Sequence, residues 1–189
     1  MSNTFLKEKR INSDIKNFYK GNYESHGIFI KLNDSNITNI KALIIGPKES
    51  AYEDGFYFFD IIFPNDYPYS PPRFQFISHP NIRFNPNLYT NGKVCLSILN
   101  TWNGDGWSSC QSIYSILIVL LNILNTNPLL NEPGINIINS KNNIDKYNLL
   151  VSYKNIEYSI IKQLKIICNI SNSDINTDNN TYNNAYCNK

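Results

Sequence analysis

Four prolines within nine residues, in Pro64-Asn65-Asp66-Tyr67-Pro68-Tyr69-Ser70-Pro71-Pro72, constrain the middle of this chain more than any other feature. Proline has no backbone N–H to donate, locks its own φ, and pushes the residue before it out of helical space. The segment can be neither helix nor interior strand, so a rigid extended turn is expected. Whatever flanks it must be able to end there. Upstream, residues 26–32, 40–45 and 56–63 are rich in Ile, Phe and Tyr and are separated by Asn-Asp-Ser and Gly-Pro stretches, which predicts three strands. Residues 73–77 predict a short fourth. Connections this short favour an antiparallel meander.

Ahead of the strands, residues 4–19 carry Phe5, Leu6, Ile11, Ile15 and Phe18 at roughly helical spacing among Lys7, Lys9, Arg10, Lys16 and Lys20. This predicts an amphipathic helix with the basic residues on its polar side. After the fourth strand, the stretch from His79 to Trp107 is broken by Pro80, Pro86, Asn91-Gly92, Gly104 and Gly106. An irregular segment of that length inside a compact domain is usually functional. Ser108-Ser109-Cys110-Gln111 reads as a capping box that opens a helix through Leu124, apolar nearly all round and therefore buried and central. Asn127-Pro128 ends it, and Asn131-Glu132-Pro133-Gly134 is expected as loop. Two further helices are expected at 145–151 and 153–169. Residues 171–189 are mostly Asn, Ser, Thr and Asp and are expected to form a disordered tail, leaving 1–170 as one domain. Helix, four strands, irregular segment and helices make the class α+β.

Several functions are disfavoured by composition. A formal charge of +2 on 189 residues gives no electrostatic case for nucleic acid or a membrane surface. The longest apolar run, 113–124, is too short to span a bilayer, and the start MSNTFLKEKR has no signal-peptide core. Cys95, Cys110, Cys168 and Cys187 form no CxxC pair, so neither a zinc site nor a disulfide framework is expected. A soluble protein of a reducing compartment follows: the cytoplasm, with the nucleus open to it.

Cys95 sits in Asn91-Gly92-Lys93-Val94-Cys95-Leu96, just past a turn and inside the irregular segment, and is the candidate nucleophile. The other three cysteines read as inert, Cys110 and Cys168 within helices and Cys187 in the tail. A Cys–His hydrolase would need an imidazole to activate the thiol. Only His26 and His79 are available, and no such signature surrounds Cys95.

The order of signals is more specific than any one of them. Gly46-Pro47, Tyr52-Glu53-Asp54-Gly55-Phe56, Phe63-Pro64, Asp66-Tyr67-Pro68, Pro71-Pro72, Cys95-Leu96-Ser97-Ile98-Leu99 and Trp107-Ser108 follow one another as in a ubiquitin-conjugating (E2) catalytic domain, which residues 5–169 resemble. Arg83-Phe84-Asn85-Pro86-Asn87-Leu88-Tyr89, with Thr101-Trp102 and Asn127-Pro128, is similar to the divergent subgroup that includes ubiquitin-conjugating enzyme E2 Z and the BRUCE-type conjugating enzymes. The resemblance implies the conjugating-enzyme fold and an acyl transfer made twice. Cys95 would take a ubiquitin or ubiquitin-like C-terminus from an activating enzyme, then yield it to a substrate amine or a ligase cysteine. No metal or organic cofactor is implied. An adaptor of the same fold that binds ubiquitin without carrying it is the competing reading, and such variants lack the cysteine.

In the family an Asn after His-Pro, eight residues before the cysteine, stabilises the oxyanion or orders the loop. Here the tripeptide His79-Pro80-Asn81 stands too far upstream, whereas Asn87 in Asn85-Pro86-Asn87 has the right spacing, so the role passes to Asn87. The acids that serve incoming lysines in many members are replaced by Ser97 and Leu130. Glu132 or Asp105 compensates, or lysine reactivity is low and ligase cysteines are preferred. The loop from Asn100 to Trp107 is longer than in small members. Tyr69 corresponds to a ligase-docking aromatic, while Ser109 and Cys110 replace the usual Pro and Ala beside it. Lys7, Lys9, Arg10 and Lys16 on the first helix would meet an acidic surface of the activating enzyme.

Overall fold

The computed structural model describes residues 3–77 and 82–172. Its elements run α1 (Asn3–Lys20), β1 (Ile28–Leu32), β2 (Asn39–Ile45), β3 (Phe56–Ile62), β4 (Arg73–Phe76), α2 (Ile113–Ile123), α3 (Ile137–Lys154) and α4 (Lys162–Asn172). The strands form one antiparallel sheet in the order β1-β2-β3-β4. The expected α+β architecture and meander are what is found. β1 begins two residues later than expected because Tyr23–His26 wind into a 3₁₀ turn closed by Gly27 at φ 74°.

Strand register decides which residues reach the core. Ile44 pairs with Ile28 and Tyr57, and Phe59 with Ala42 and Phe76, so these side chains share the inner face. They join Ile11, Ile15 and Phe18 of α1 and Ile113, Ile116, Leu117 and Leu120 of α2 in one buried cluster. The α2 helix is as buried as its all-round apolarity predicts.

The polar face predicted for α1 needs correcting. Burial along the helix follows positions 7, 11, 14, 15 and 18, a single stripe at helical spacing. Lys7 lies on that stripe, buried, and donates to Asn65 Oδ1 in the proline-rich turn at 3.3 Å. Phe5 and Leu6 fall off it and are exposed. Arg10 is half-buried and turned onto the body. Its Nε pairs with Asp14 at 3.0 Å, and its two terminal nitrogens donate to the carbonyls of Ser109 (2.7 Å) and Gln111 (2.5 Å).

Those two bonds explain a second correction. The central helix does not open at Ser108. Arg10 ties the Ser109 and Gln111 carbonyls to α1. Ser108 to Gln111 instead close a turn, with Gln111 Oε1 accepting from Ser108 N at 2.9 Å. The helix starts at Ile113 behind a capping box of Ser112 and Ser115, so Cys110 lies in an exposed turn rather than in a helix.

The expected pair of C-terminal helices is also one continuous run. α3, opened by Asn136 Oδ1 accepting from Asn139 N at 2.9 Å, passes through a π-helical stretch, Asn155–Ile161, into α4. Each i to i+4 step overshoots an α-helical turn by about 40°. Val151, Asn155 and Ser159, all buried, would drift off one face in an uninterrupted α-helix. The wider π turn keeps them aligned. Asn155 uses that position to accept from Tyr57 OH (2.7 Å) and to donate to the Glu53 carbonyl (2.9 Å). The expected tail enters α4 at residues 171 and 172, and its remainder, with Cys187, lies outside the described residues. Among the described residues no helix is long and apolar enough to cross a membrane.

Candidate active site

The segment that carries Cys95 is irregular but well tied. Leu88 and Val94 are buried and bridge each other, and Lys93 bridges Gln75 of β4. The turn at Gly92 (φ 84°) closes against the end of the sheet, with Phe76 N donating to the Gly92 carbonyl at 2.9 Å. A Cβ there would stand 2.8 Å from the Phe76 carbonyl oxygen, so only glycine permits the approach.

Asn87 and Cys95 meet across this turn. Cys95 N donates to the Asn87 carbonyl at 2.9 Å, and Asn87 Nδ2 donates to the Cys95 carbonyl at 2.7 Å. The side-chain oxygen Oδ1 of Asn87 is buried without a hydrogen-bond partner. One of the two Nδ2 hydrogens is thus committed to the backbone of the thiol residue, which orients the amide and leaves the other to a neighbouring group.

Asn85, a motif residue with no role of its own expected from the sequence, fixes Asn87. It is fully buried, accepts from Asn87 N through Oδ1 at 2.9 Å, and donates through Nδ2 to Tyr52 OH (2.9 Å) and the Ile123 carbonyl (2.8 Å). The bond to the amide two residues on is an Asx turn, and the intervening Pro86 suits it. That signal was present in the sequence. The links to Tyr52 and to the end of α2 were not, because they join residues more than thirty positions apart. Tyr52 OH in turn donates to the Phe84 carbonyl at 2.8 Å, and burial pushes its hydroxyl well above the ordinary tyrosine range.

The thiol itself is buried and lies 3.7 Å from the Thr101 carbonyl, which accepts from Sγ. Thr101 is a second residue whose part the sequence hid. Its Oγ1 accepts from Leu96 N at 2.9 Å and lies within donating reach of the carbonyls of Val94 (2.8 Å) and Leu96 (3.0 Å). The segments before and after Leu96 are thereby drawn together around Cys95. The longer loop then closes on itself. Asn100, at φ 55°, accepts from Trp107 N through Oδ1 at 2.9 Å, and Gly104, at φ 127°, packs on Ser97, where a Cβ would lie 3.2 Å from the Ser97 Cβ. Trp107 Nε1 donates to the Pro68 carbonyl at 2.7 Å, which joins this loop to the proline-rich turn. That turn is anchored by Tyr67 OH donating to Asp14, and burial first, then this bond, raises the Tyr67 hydroxyl far above its ordinary value.

The other residues singled out by the sequence scatter around this centre. Ser97 is half-buried beside Cys95 in the 3₁₀ turn Ser97–Leu99. Leu130 is half-buried in the short turn Pro128–Asn131. Glu132 is not a loose acid, since Arg83 holds it at 3.6 Å while donating to the Pro86 carbonyl and lying 4.4 Å over the Tyr89 ring. Asp105 is exposed on the loop. Tyr69 is 82% exposed, and Ser109 and Cys110 are exposed on the turn that Arg10 holds. On α1, Lys9 and Lys16 are exposed, whereas Lys7 and Arg10 are drawn inward. His79 and Asn81 lie outside the described residues.

A family model described as ubiquitin-conjugating enzyme matches residues 10–152. The chain is 40% identical over 163 residues to ubiquitin-conjugating enzyme E2 Z of Danio rerio, covering 84% of the chain and 49% of that protein. Against E2 Z of Homo sapiens it is 40% identical over 161 residues, 84% of the chain and 45% of the relative. It is also 41% identical over 117 residues, 58% of the chain, to the Homo sapiens dual E2 ubiquitin-conjugating enzyme/E3 ubiquitin-protein ligase BIRC6, of which the match covers 2%. The chain spans about half the length of the E2 Z proteins it matches. The expected place in the family, near E2 Z and the BRUCE-type enzymes, is consistent with these relatives.

Proposed function

Because the chain belongs to the ubiquitin-conjugating enzyme family, we propose that it accepts ubiquitin or a ubiquitin-like modifier as a thioester on Cys95 and passes it on. In the first step the Cys95 thiolate attacks the thioester carbonyl held by a ubiquitin-activating enzyme. A tetrahedral oxyanion forms and collapses, the modifier's acyl carbon becomes bonded to Sγ, and the activating enzyme's thiolate leaves. In the second step a substrate amine or a ligase thiol attacks the same carbon and Cys95 leaves. ATP is consumed by the activating enzyme, and acyl exchange of this kind requires neither metal nor organic cofactor.

The observation that carries this reading is the reciprocal pair of hydrogen bonds between Asn87 and Cys95. A donor fixed before the reaction is worth most where negative charge develops, because it need not reorganise. Asn87 has one N–H committed to the Cys95 backbone and a second that can meet the oxyanion. Ser97 and Leu130 stand at the two positions where many members carry acids. Glu132, steadied by Arg83, is then assigned the handling of an incoming amine, with Asp105 as the other acid within the long loop. Tyr69, with Ser109 and Cys110, is assigned the ligase-facing surface, and Lys9 and Lys16 the contact with the activating enzyme. In that contact Lys7 and Arg10 act from beneath, shaping the surface rather than forming it. The cytoplasm, with the nucleus open to it, is the compartment proposed.

The test is a charging assay with purified protein, activating enzyme, ATP and a panel of modifiers. A thiol-sensitive adduct that Cys95→Ala abolishes is the expected result. No adduct with any modifier, alongside retained ubiquitin binding, would replace this reading with the adaptor.

A further inference from the structure

The hairpin that holds the thiol also carries charge. Cys95 N donates to the Asn87 carbonyl at 2.9 Å and Tyr89 N to the Lys93 carbonyl at 3.0 Å, with Leu88 and Val94 bridged between them. Residues 87–89 and 93–95 therefore run antiparallel, and their side chains alternate between two faces. Leu88 and Val94 take the inner face and are buried. Asn87, Tyr89, Lys93 and Cys95 share the outer one. Two residues of extended chain span about 6.6 Å, so Lys93 stands next to Cys95 along that face. The Tyr89 ring lies beside it, with Lys93 Nζ 5.9 Å and Arg83 Cζ 4.4 Å from the ring centroid. The two cations differ. Arg83 is engaged by Glu132 at 3.6 Å and by the Pro86 carbonyl. Lys93 is exposed and has no carboxylate partner among the described residues.

We propose that Tyr89 and Lys93 form a platform that reads the acceptor protein, favouring target lysines with an acidic residue within two positions. The inference rests on the transfer reading, because a thioester on Cys95 is what fixes where the acceptor must lie. A lysine amine that reaches the acyl carbon on Cys95 brings the neighbouring residues of its chain over the same outer face. In an extended acceptor, side chains two positions apart project the same way and match the step from Cys95 to Lys93. One of them then meets the Lys93 ammonium beside the Tyr89 ring. A carboxylate there gains a cation that no acid of the hairpin already holds, a basic side chain is repelled, and a neutral one does neither. Arg83, offset by Glu132, adds little net charge but keeps the ring in place. The platform acts on the acceptor's sequence, whereas Glu132 is assigned the amine itself.

The experiment is discharge of the charged full chain to short peptides with one central lysine, carrying glutamate two positions after it, glutamate two positions before it, or glutamine at both. The better glutamate peptide is expected to exceed the glutamine peptide about threefold, the scale of an exposed ion pair. The gain should lie in the half-saturating concentration rather than the limiting rate, and should shrink in high salt. Lys93→Ala is expected to bring the ratio to one, and Lys93→Glu to reverse it. Each ratio is read within one enzyme, so a general loss of activity in a variant does not imitate the effect. Should transfer to every peptide be too slow to follow, amide NMR shifts of the uncharged protein replace the rates. The glutamate peptide is then expected to move Tyr89 and Lys93 where the glutamine peptide does not. A wild-type ratio of one, a ratio unmoved by Lys93→Glu, or the absence of selective shifts would overturn the inference while charging at Cys95 stands. Failure to charge at all would instead remove the transfer reading, and this inference with it.

Discussion

Asn87 and Cys95, eight residues apart in sequence, hold each other by two hydrogen bonds, one of 2.9 Å through the backbone and one of 2.7 Å through the Asn87 side chain. The backbone bond survives substitution of Asn87 and the side-chain bond does not. Asn87→Ala is therefore expected to leave the fold in place and to slow discharge of the charged enzyme by about a hundredfold, the scale set by loss of one oxyanion donor. Asn87→Asp, which keeps the shape but sets an acceptor against the Cys95 carbonyl, should not rescue it. Single-turnover discharge to free lysine checks both. If Asn81→Ala abolishes discharge while Asn87→Ala does not, the assignment is wrong.

Asn85 contributes through structure rather than chemistry. Its loss removes the donor to the Tyr52 hydroxyl, leaves the Ile123 carbonyl only the longer bond from Asn131 Nδ2 at 3.3 Å, and takes the acceptor from Asn87 N. Asn85→Ala is expected to lower stability by about 2–3 kcal/mol in urea unfolding and to slow charging as Asn87 loses its support. A variant as stable as wild type would remove Asn85 from this role.

Arg10 makes a separable prediction. One guanidinium serves Asp14 and two carbonyls of the turn before α2, and a lysine ammonium cannot reproduce that fork. Arg10→Lys should therefore destabilise nearly as much as Arg10→Ala, by about 1–3 kcal/mol. Full stability in the lysine variant would show that charge alone suffices.

Glu132 is tied to Arg83 at the surface, and such a pair adds little to stability. Glu132→Ala should unfold as wild type does, yet discharge to free lysine about tenfold more slowly, with discharge to free cysteine unchanged. Equal lysine rates in the two proteins would leave Asp105, or a preference for ligase thiols, as the explanation.

Stability should also fall in base. Burial raises the hydroxyls of Tyr52, Tyr57 and Tyr67 beyond the titrable range and that of Tyr147 to about 12. The folded chain thus keeps protons that the unfolded chain releases above about pH 10. The stabilisation is complete below that pH and is lost as pH rises toward the folded values. Exposed tyrosines such as Tyr69 can ionise in the folded chain, so the last part of the tyrosinate absorbance, from the buried residues, should appear only with unfolding followed by circular dichroism. Complete ionisation of all 13 tyrosines before unfolding would contradict the burial.

Much of this molecule was legible in its sequence, for identifiable reasons. Strands declared themselves because Ile, Phe and Tyr alternate between turn residues, and the sheet's order followed from short connections. The pairing of Asn87 with Cys95 was legible because the turn between them is local and the family resemblance, with its eight-residue spacing, points to it; the part of Asn87 in the chemistry is a proposal. Two features failed for one reason: distant groups overruled local signals. Arg10 ties the Ser109 and Gln111 carbonyls to α1 where Ser108-Ser109-Cys110-Gln111 reads locally as a helix start, and Asn155 draws the C-terminal helix into a π turn by reaching Tyr57 and Glu53. The inward turn of Lys7 was missed because a charge pattern shows where an ammonium prefers to be, not what its alkyl stem covers.

The indole of Trp107 acts as a joint. On one side its ring nitrogen grips the carbonyl of Pro68, next to the projecting Tyr69, and on the other its amide is gripped by Asn100, whose neighbour Thr101 faces the sulfur of Cys95. A short, stiff linkage thus runs from the outermost aromatic of the proline-rich turn to the cover of the thiol. The two surfaces are not mechanically independent: a substitution at Trp107 keeps the backbone bond to Asn100 but cuts the indole's hold on Pro68, and so uncouples the proline-rich turn from the loop beside the thiol.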